Sequence, residues 1–305
     1  MAEAAPSSTS RMFVVDRFGK WLAEPQHPLR IEIVRILAPF AVTMFMVPRA
    51  LHADEWLGQS GFRVPELATA DVRQPLYISA LSDNVAWVVA IALLVAGTCL
   101  TVGFKTRWAA IAFAFLGAFC ALSDRLAAFS VSKLGPTIAI ALALSNAGTH
   151  LSVDKILAKR KPRFVARPSG TMRFFQLLLP TIYCASGIAK LRGDWAKHPY
   201  VLWTHLHDTY QTSVTLILAN AMPAPGWTLL QVCTLVFETA APLWFAWKKA
   251  RVPAVVWAVS MHAMIGLMFG PVRWFGLLMA ALVFGAYAPA KLLDRIAAKL
   301  KLETP

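Results

Sequence analysis

The feature that most constrains this chain is a series of eight apolar runs, at about 31–47, 85–103, 108–122, 134–150, 172–191, 227–247, 253–270 and 272–289. A helix crossing a bilayer needs roughly 20 apolar residues, with about 17 as a lower limit, and these runs meet or approach that length. The third is short and extends past Ser123 if it crosses. Between the runs there is no room for a soluble domain, since the longest gaps are about 48–84 and 192–226. Only 15% of the residues are charged and 57% are hydrophobic, the inverse of a soluble domain's balance. The expected fold is all-α: a polytopic transmembrane bundle of about eight spans.

The net charge of +14 would suit a nucleic-acid partner if it formed one stripe, but the basic residues are shared out among the gaps between runs. No nucleic acid is expected; the lipid bilayer is. The N-terminal segment, the Lys105/Arg107 turn, the loop 151–171, the Lys248–Arg251 turn and the tail from Lys291 are basic. They alternate with 48–84, where Asp54, Glu55, Glu66, Asp71 and Asp83 outnumber Arg49, Arg63 and Arg73, and with 192–226, where Asp194 and Asp208 balance Arg192 and Lys197. Positive charge collects on the cytoplasmic side, so both termini are expected there, in a multi-pass protein of the cell membrane. The division that follows is a cytoplasmic segment 1–27, a membrane domain 28–290 and a basic cytoplasmic tail 291–305. The first 30 residues have no apolar stretch of signal-peptide type, so the first span is expected to direct insertion.

Cys99, Cys120, Cys184 and Cys233 lie singly in apolar runs and read as packing residues. No metal is expected. His198, His205 and His207 share a segment with Trp195, Tyr200, Trp203 and Tyr210, a mixture suited to an interfacial stretch or to a lid over a site. His205 and His207 are two residues apart, which on a helix points them in different directions.

Ionisable groups within spans cost roughly 2.5–3.5 kcal/mol at the centre, so each must escape to the interface or face something polar. Glu238 cannot easily escape: about eleven residues into its run, it lies roughly 16 Å deep. His262 lies at a similar depth in the next, antiparallel run. The two are expected to meet, either as an interhelical hydrogen bond or as the polar wall of a cavity or proton relay. Arg35 lies three residues after Glu32 on one helix face, near enough to the cytoplasmic end to snorkel, as do Arg107 and Arg273 at span ends.

Tyr183, Ser186, Gly187, Lys190 and Asp194 follow the three-and-four spacing of one helix face, which is therefore polar. Upstream Pro180 frees a backbone carbonyl, and Gly187 permits close approach. Lys190 either snorkels to the outer headgroups, pairs with Asp194, or sits in a poorly solvated pocket. In such a pocket an amine gives up its proton more readily and serves as a general base toward a phenol or quinol arriving from the lipid.

The stretch Tyr183-Cys-Ala-Ser-Gly187-Ile-Ala-Lys190-Leu191, followed by Asp194-Trp195, resembles the signature of the vitamin K-dependent γ-carboxylases and their relatives, the HTTM (horizontally transferred transmembrane) proteins. In order along the chain, "IVRIL" with Arg35 resembles the first-helix arginine and "LTVGFKTRW" the Gly-x-x-x-Arg turn that contains Arg107. "THLSVDKIL" resembles the Ser-x-Asp of Ser152 and Asp154, and "FETAAPLWFAWKKAR" and "SMHAMIGLMFG" the paired acid and histidine helices. The likeness spans roughly residues 28–289.

It implies that Lys190 is the base that deprotonates a reduced quinone, a vitamin K-type hydroquinone. Asp194, Tyr183 and Trp195 would tune it, Glu238 and His262 would shape the pocket, and Arg35, Arg107 and Asp154 would be structural. The implied activity is that of a γ-carboxylase-like lyase or quinol oxygenase acting on a peptide or small substrate at the outer face. Two departures accompany the likeness. The carboxylases continue into a large lumenal domain that helps recognise the protein substrate, and their Asn-His pair before the fourth span corresponds here to Ser132 and Lys133. The rival expectation is a non-catalytic membrane accessory protein for peptide maturation or export, with Lys190 purely structural. A transporter lacks support, since neither an internal repeat nor paired broken helices are visible.

Overall fold

A computed structural model describes residues 8–61, 78–123, 129–158, 163–207 and 211–302. Glu66, Asp71, Arg63, Arg73, Lys159 to Lys161, Asp208 and Tyr210, used above for topology and the interfacial segment, lie outside them. Sixteen α-helices and no strands occur among the described residues. In chain order they are α1 (Ser8–Ala23), α2 (Leu29–Ala50), α3 (Ala53–Trp56), α4 (Asp83–Val102), α5 (Thr106–Ser123), α6 (Ser130–Ala143), α7 (Val153–Leu157) and α8 (Gly170–Arg192). Then come α9 (Asp194–Lys197), α10 (Val201–His205), α11 (Ser213–Ala221), α12 (Ala224–Thr239), α13 (Ala241–Ala246), α14 (Arg251–Met268), α15 (Arg273–Tyr287) and α16 (Ala290–Lys299).

The chain is thus the all-α membrane bundle expected, and among the described residues six helical stretches have the length and composition to cross: α2, α4, α5, α8, α14, and Gly270–Tyr287, which contains α15. The fourth run falls short because it turns out of helix after Ala143, leaving α6 with 14 residues. The sixth is divided at Ala240. Pro242 has no N–H to give the carbonyl of Glu238, so the helix cannot run through, and α12 ends one residue after its acid.

The helix α2 is the hub, packing on α4, α6 and α15, and half of its apolar window is buried; α8 buries only 22% of its own and lies at the periphery. Its Pro180 leaves the carbonyl of Gln176 without a helical donor, and the hydroxyl of Tyr287 in α15 supplies one.

Two polar knots lie at the basic end of the bundle. Arg35 does not snorkel. It is wholly buried, donating from Nε to Glu32 (2.9 Å), from Nη1 to the carbonyls of Leu100 (3.1 Å) and Thr101 (2.7 Å), and from Nη2 to that of Leu151. Two of those carbonyls belong to the last turn of α4, which has no further helical N–H to satisfy them. Glu32 in turn accepts from the N–H of His150 (2.9 Å) and of Gly148 (3.3 Å), so one buried ion pair fastens α2, α4 and the loop after α6. The α4–α5 turn passes through Gly103, whose φ of 75° suits glycine and whose missing Cβ would lie 2.5 Å from that of Ser152. Asp154 then caps α5 from outside, accepting from the N–H groups of Lys105 (2.7 Å) and Thr106 (2.9 Å). Arg107 and Arg273 are exposed, as side chains at span ends should be.

Candidate functional site

The geometry around Lys190 starts from an absence of side chain at Gly187. A Cβ there would lie 2.5 Å from the backbone nitrogen of Thr239, so only glycine lets α8 touch the end of α12 where Pro242 has broken it. One turn further along α8, Lys190 therefore meets Glu238. Its Nζ donates to both carboxylate oxygens at 2.5 Å. The lysine side chain is 24% exposed and the glutamate's 8%, so the pair is largely sheltered. On its other side the ammonium stands 4.9 Å from the centre of the Trp195 ring, a cation–π contact.

Two turns upstream of Lys190, Tyr183 is buried and its hydroxyl lies 2.7 Å from Nε2 of His262. Phe237 and Phe245 pack on the tyrosine ring at centroid distances of 5.6 and 6.2 Å. His262 can reach inward because Gly276 brings α15 against its backbone; a Cβ there would meet its carbonyl at 2.4 Å. Among the described residues two buried nitrogens in this layer find no partner, Nδ1 of His262 and Nε1 of Trp257, whose ring adjoins Phe237. Buried polar atoms are nearly always satisfied, so each marks a place where a polar atom of a ligand or a water fits.

The structure gathers Lys190, Glu238, Tyr183, His262 and Trp195, but pairs them differently from expectation. Glu238 bonds Lys190 and His262 bonds Tyr183, in place of a Glu238–His262 contact. Asp194 does not share the helix face of Lys190: α8 stops at Arg192, Gly193 is extended, and Asp194 begins α9 with an exposed side chain. Its helical spacing was real, but the helix ended before it.

One contributor escaped sequence reading. Gln231, seven residues before Glu238 on α12, is fully buried and donates to the carbonyls of Trp195 and His198 (both 2.8 Å) while accepting from the N–H of Leu202 (2.9 Å). It pins the 195–202 segment and so sets the Trp195 ring against Lys190. The seven-residue interval to Glu238 was the available signal. Within that segment, the rings of His205 and His207 bond the carbonyls of Val201 and Trp203 one turn back. Among the described residues no three of His, Cys, Asp and Glu cluster as metal ligands would.

The described cavities lie elsewhere, around His27 at the far end of α8. The site at Lys190 is a largely sheltered polar layer between α8 and α12. Comparison with known proteins gives one match: the family model for the HTTM domain fits residues 24–287, most of the chain. No curated protein and no solved structure matches.

Proposed function

The chain belongs to the HTTM family, and from that premise we propose that it is a carboxylase-like, quinol-dependent membrane enzyme with Lys190 as its base, acting on a peptide or small substrate at the face where α8 ends. The observation that carries this is the environment of one amine: Nζ of Lys190 held between a carboxylate and an indole, three-quarters sheltered, on a peripheral helix that lipid-borne molecules can reach.

A vitamin K-type hydroquinone supplies two electrons and two phenolic protons and travels in the lipid. The residues suit such a molecule, with aromatic rings on several sides and two unpartnered nitrogens. A proton moved from Nζ to Glu238 across 2.5 Å converts the ion pair into a neutral amine beside a neutral acid without moving a heavy atom. Nζ would then be free to take a proton from a bound quinol, and the Lys190–Glu238 pair, with one net positive charge once it has done so, would favour negative charge beside it. In this reading Glu238 is the proton store and Trp195 a wall. Tyr183 and His262 hold the layer behind them.

The rival is the non-catalytic accessory protein, favoured by the same pair as a clasp between α8 and α12. The experiment is binding of a reduced naphthoquinone by purified protein in nanodiscs, with oxygen uptake read alongside. Binding and uptake lost in Lys190→Ala but kept in Lys197→Ala supports the enzyme. Equal binding in both variants, without uptake in the parent protein, contradicts it and leaves the accessory role.

A further inference from the structure

Twenty residues back along α8, roughly 30 Å from Lys190 by helical rise, the membrane domain opens into a cavity of about 810 Å³. It lies between the start of α2, the end of α6 and the start of α8, with the loop 144–150 and the segment 163–169 around it. The cavity is built. Gln26 and Arg167 exchange backbone hydrogen bonds (2.8 and 3.2 Å), and the hydroxyl of Thr171 bonds the carbonyl of Ala141 (3.0 Å), holding α8 beside α6. Phe164 is buried edge-on between the rings of His27 and His150.

Its lining is divided in chemistry. Arg163 and Arg167 are exposed at the cavity and bond no carboxylate among the described residues, and the lining contains no Asp or Glu. Burial holds His27 and His150 below the ordinary histidine range, so the positive charge resides on the two arginines. The remainder is apolar, and it continues outward: Ile140, Leu144 and Phe174 line the cavity and yet are 54%, 77% and 39% exposed. A cationic mouth joined to an apolar strip at the end of a membrane helix matches an amphiphile, not a free anion.

We propose that this cavity holds the headgroup of one anionic phospholipid, its phosphate on Arg163 and Arg167 and an acyl chain along Ile140, Leu144 and Phe174. The two guanidiniums present paired donors to phosphate oxygens, and no carboxylate lines this cavity to favour a choline or ethanolamine; Asp294, which lies 3.3 Å from Nε2 of His27, lines the adjoining cavity instead. The site is separate from Lys190 and does not depend on the activity proposed for it.

Native mass spectrometry of the detergent-purified protein tests this, counting lipids retained after exposure to equal phosphatidylglycerol and phosphatidylcholine. The parent protein is expected to keep one phosphatidylglycerol preferentially. Arg163→Ala/Arg167→Ala should lose that preference by about tenfold or more, as two interfacial charges imply, while Lys248→Ala/Lys249→Ala, an exposed basic pair elsewhere, keeps it. Gly170→Trp places a side chain in open space at the cavity without touching charge, and should also lower retention. Unchanged preference in both the arginine and the Gly170 variants overturns the proposal. So does displacement of the bound species by inorganic phosphate, which would make the occupant a soluble anion.

Discussion

Replacing Arg35 by Met is expected to be among the most damaging single changes in the membrane domain. The side chain is fully buried and donates to one carboxylate and three carbonyls. Its loss leaves Glu32 as a buried anion held, among the described residues, by the N–H groups of Gly148 and His150. Removing one partner of a buried pair costs about 3–5 kcal/mol. The three abandoned carbonyls would each cost about 1–3 kcal/mol if independent, but they share one donor and do not add. A net loss of about 4 kcal/mol follows. Glu32→Gln/Arg35→Met should cost about 2 kcal/mol less than the two single changes summed, because the double variant leaves no unpaired charge. Unfolding by titration of SDS into mixed micelles, read by circular dichroism, gives all four corners of the cycle. An Arg35→Met cost below about 1 kcal/mol, as for a side chain that merely reaches the headgroups, would refute the reasoning.

Gly187→Ala should cost about 1–3 kcal/mol, because its Cβ meets backbone at Thr239, not a flexible side chain; Gly170→Ala, which meets open space, should be near neutral by the same SDS titration. Asp154→Ala should cost about 1 kcal/mol through loss of the α5 cap. Although partial desolvation works the other way, the hydrogen bonds from Thr106 and Lys105 hold the Asp154 carboxyl below the usual carboxylate range. Its contribution is therefore present at neutral pH and lost as pH falls below about 4, and an acid titration of the Asp154→Ala variant should lack that component.

Much of the architecture was legible because lipid leaves a chain few options: long apolar runs must be helices with their backbone groups paired internally. Where the reading departed from the structure, a local event interrupted the pattern. Pro242 cut the sixth run beside Glu238, and Gly193 ended α8 before Asp194 could join its face. Depth along a helix identified Glu238 and His262 as groups needing polar company, and both have it. The identity of that company was not written in depth. It followed from Gly187 and Gly276, which bring particular helix faces into contact, and a one-dimensional sequence does not say which two glycine faces meet. Arg35 misled for a related reason. Its place near a span end permitted snorkelling, but the free carbonyls at the end of α4 and at Leu151 drew it inward.

The sheltering of Lys190 is tested most directly by its rate of acylation in nanodiscs with a water-soluble amine reagent, followed residue by residue by mass spectrometry. The doubly hydrogen-bonded amine should react about tenfold or more slowly than exposed Lys197, and Glu238→Gln should bring the two rates together. Equal rates in the parent protein, unaffected by Glu238→Gln, would mean that the amine reaches the headgroups unpaired and would contradict the account.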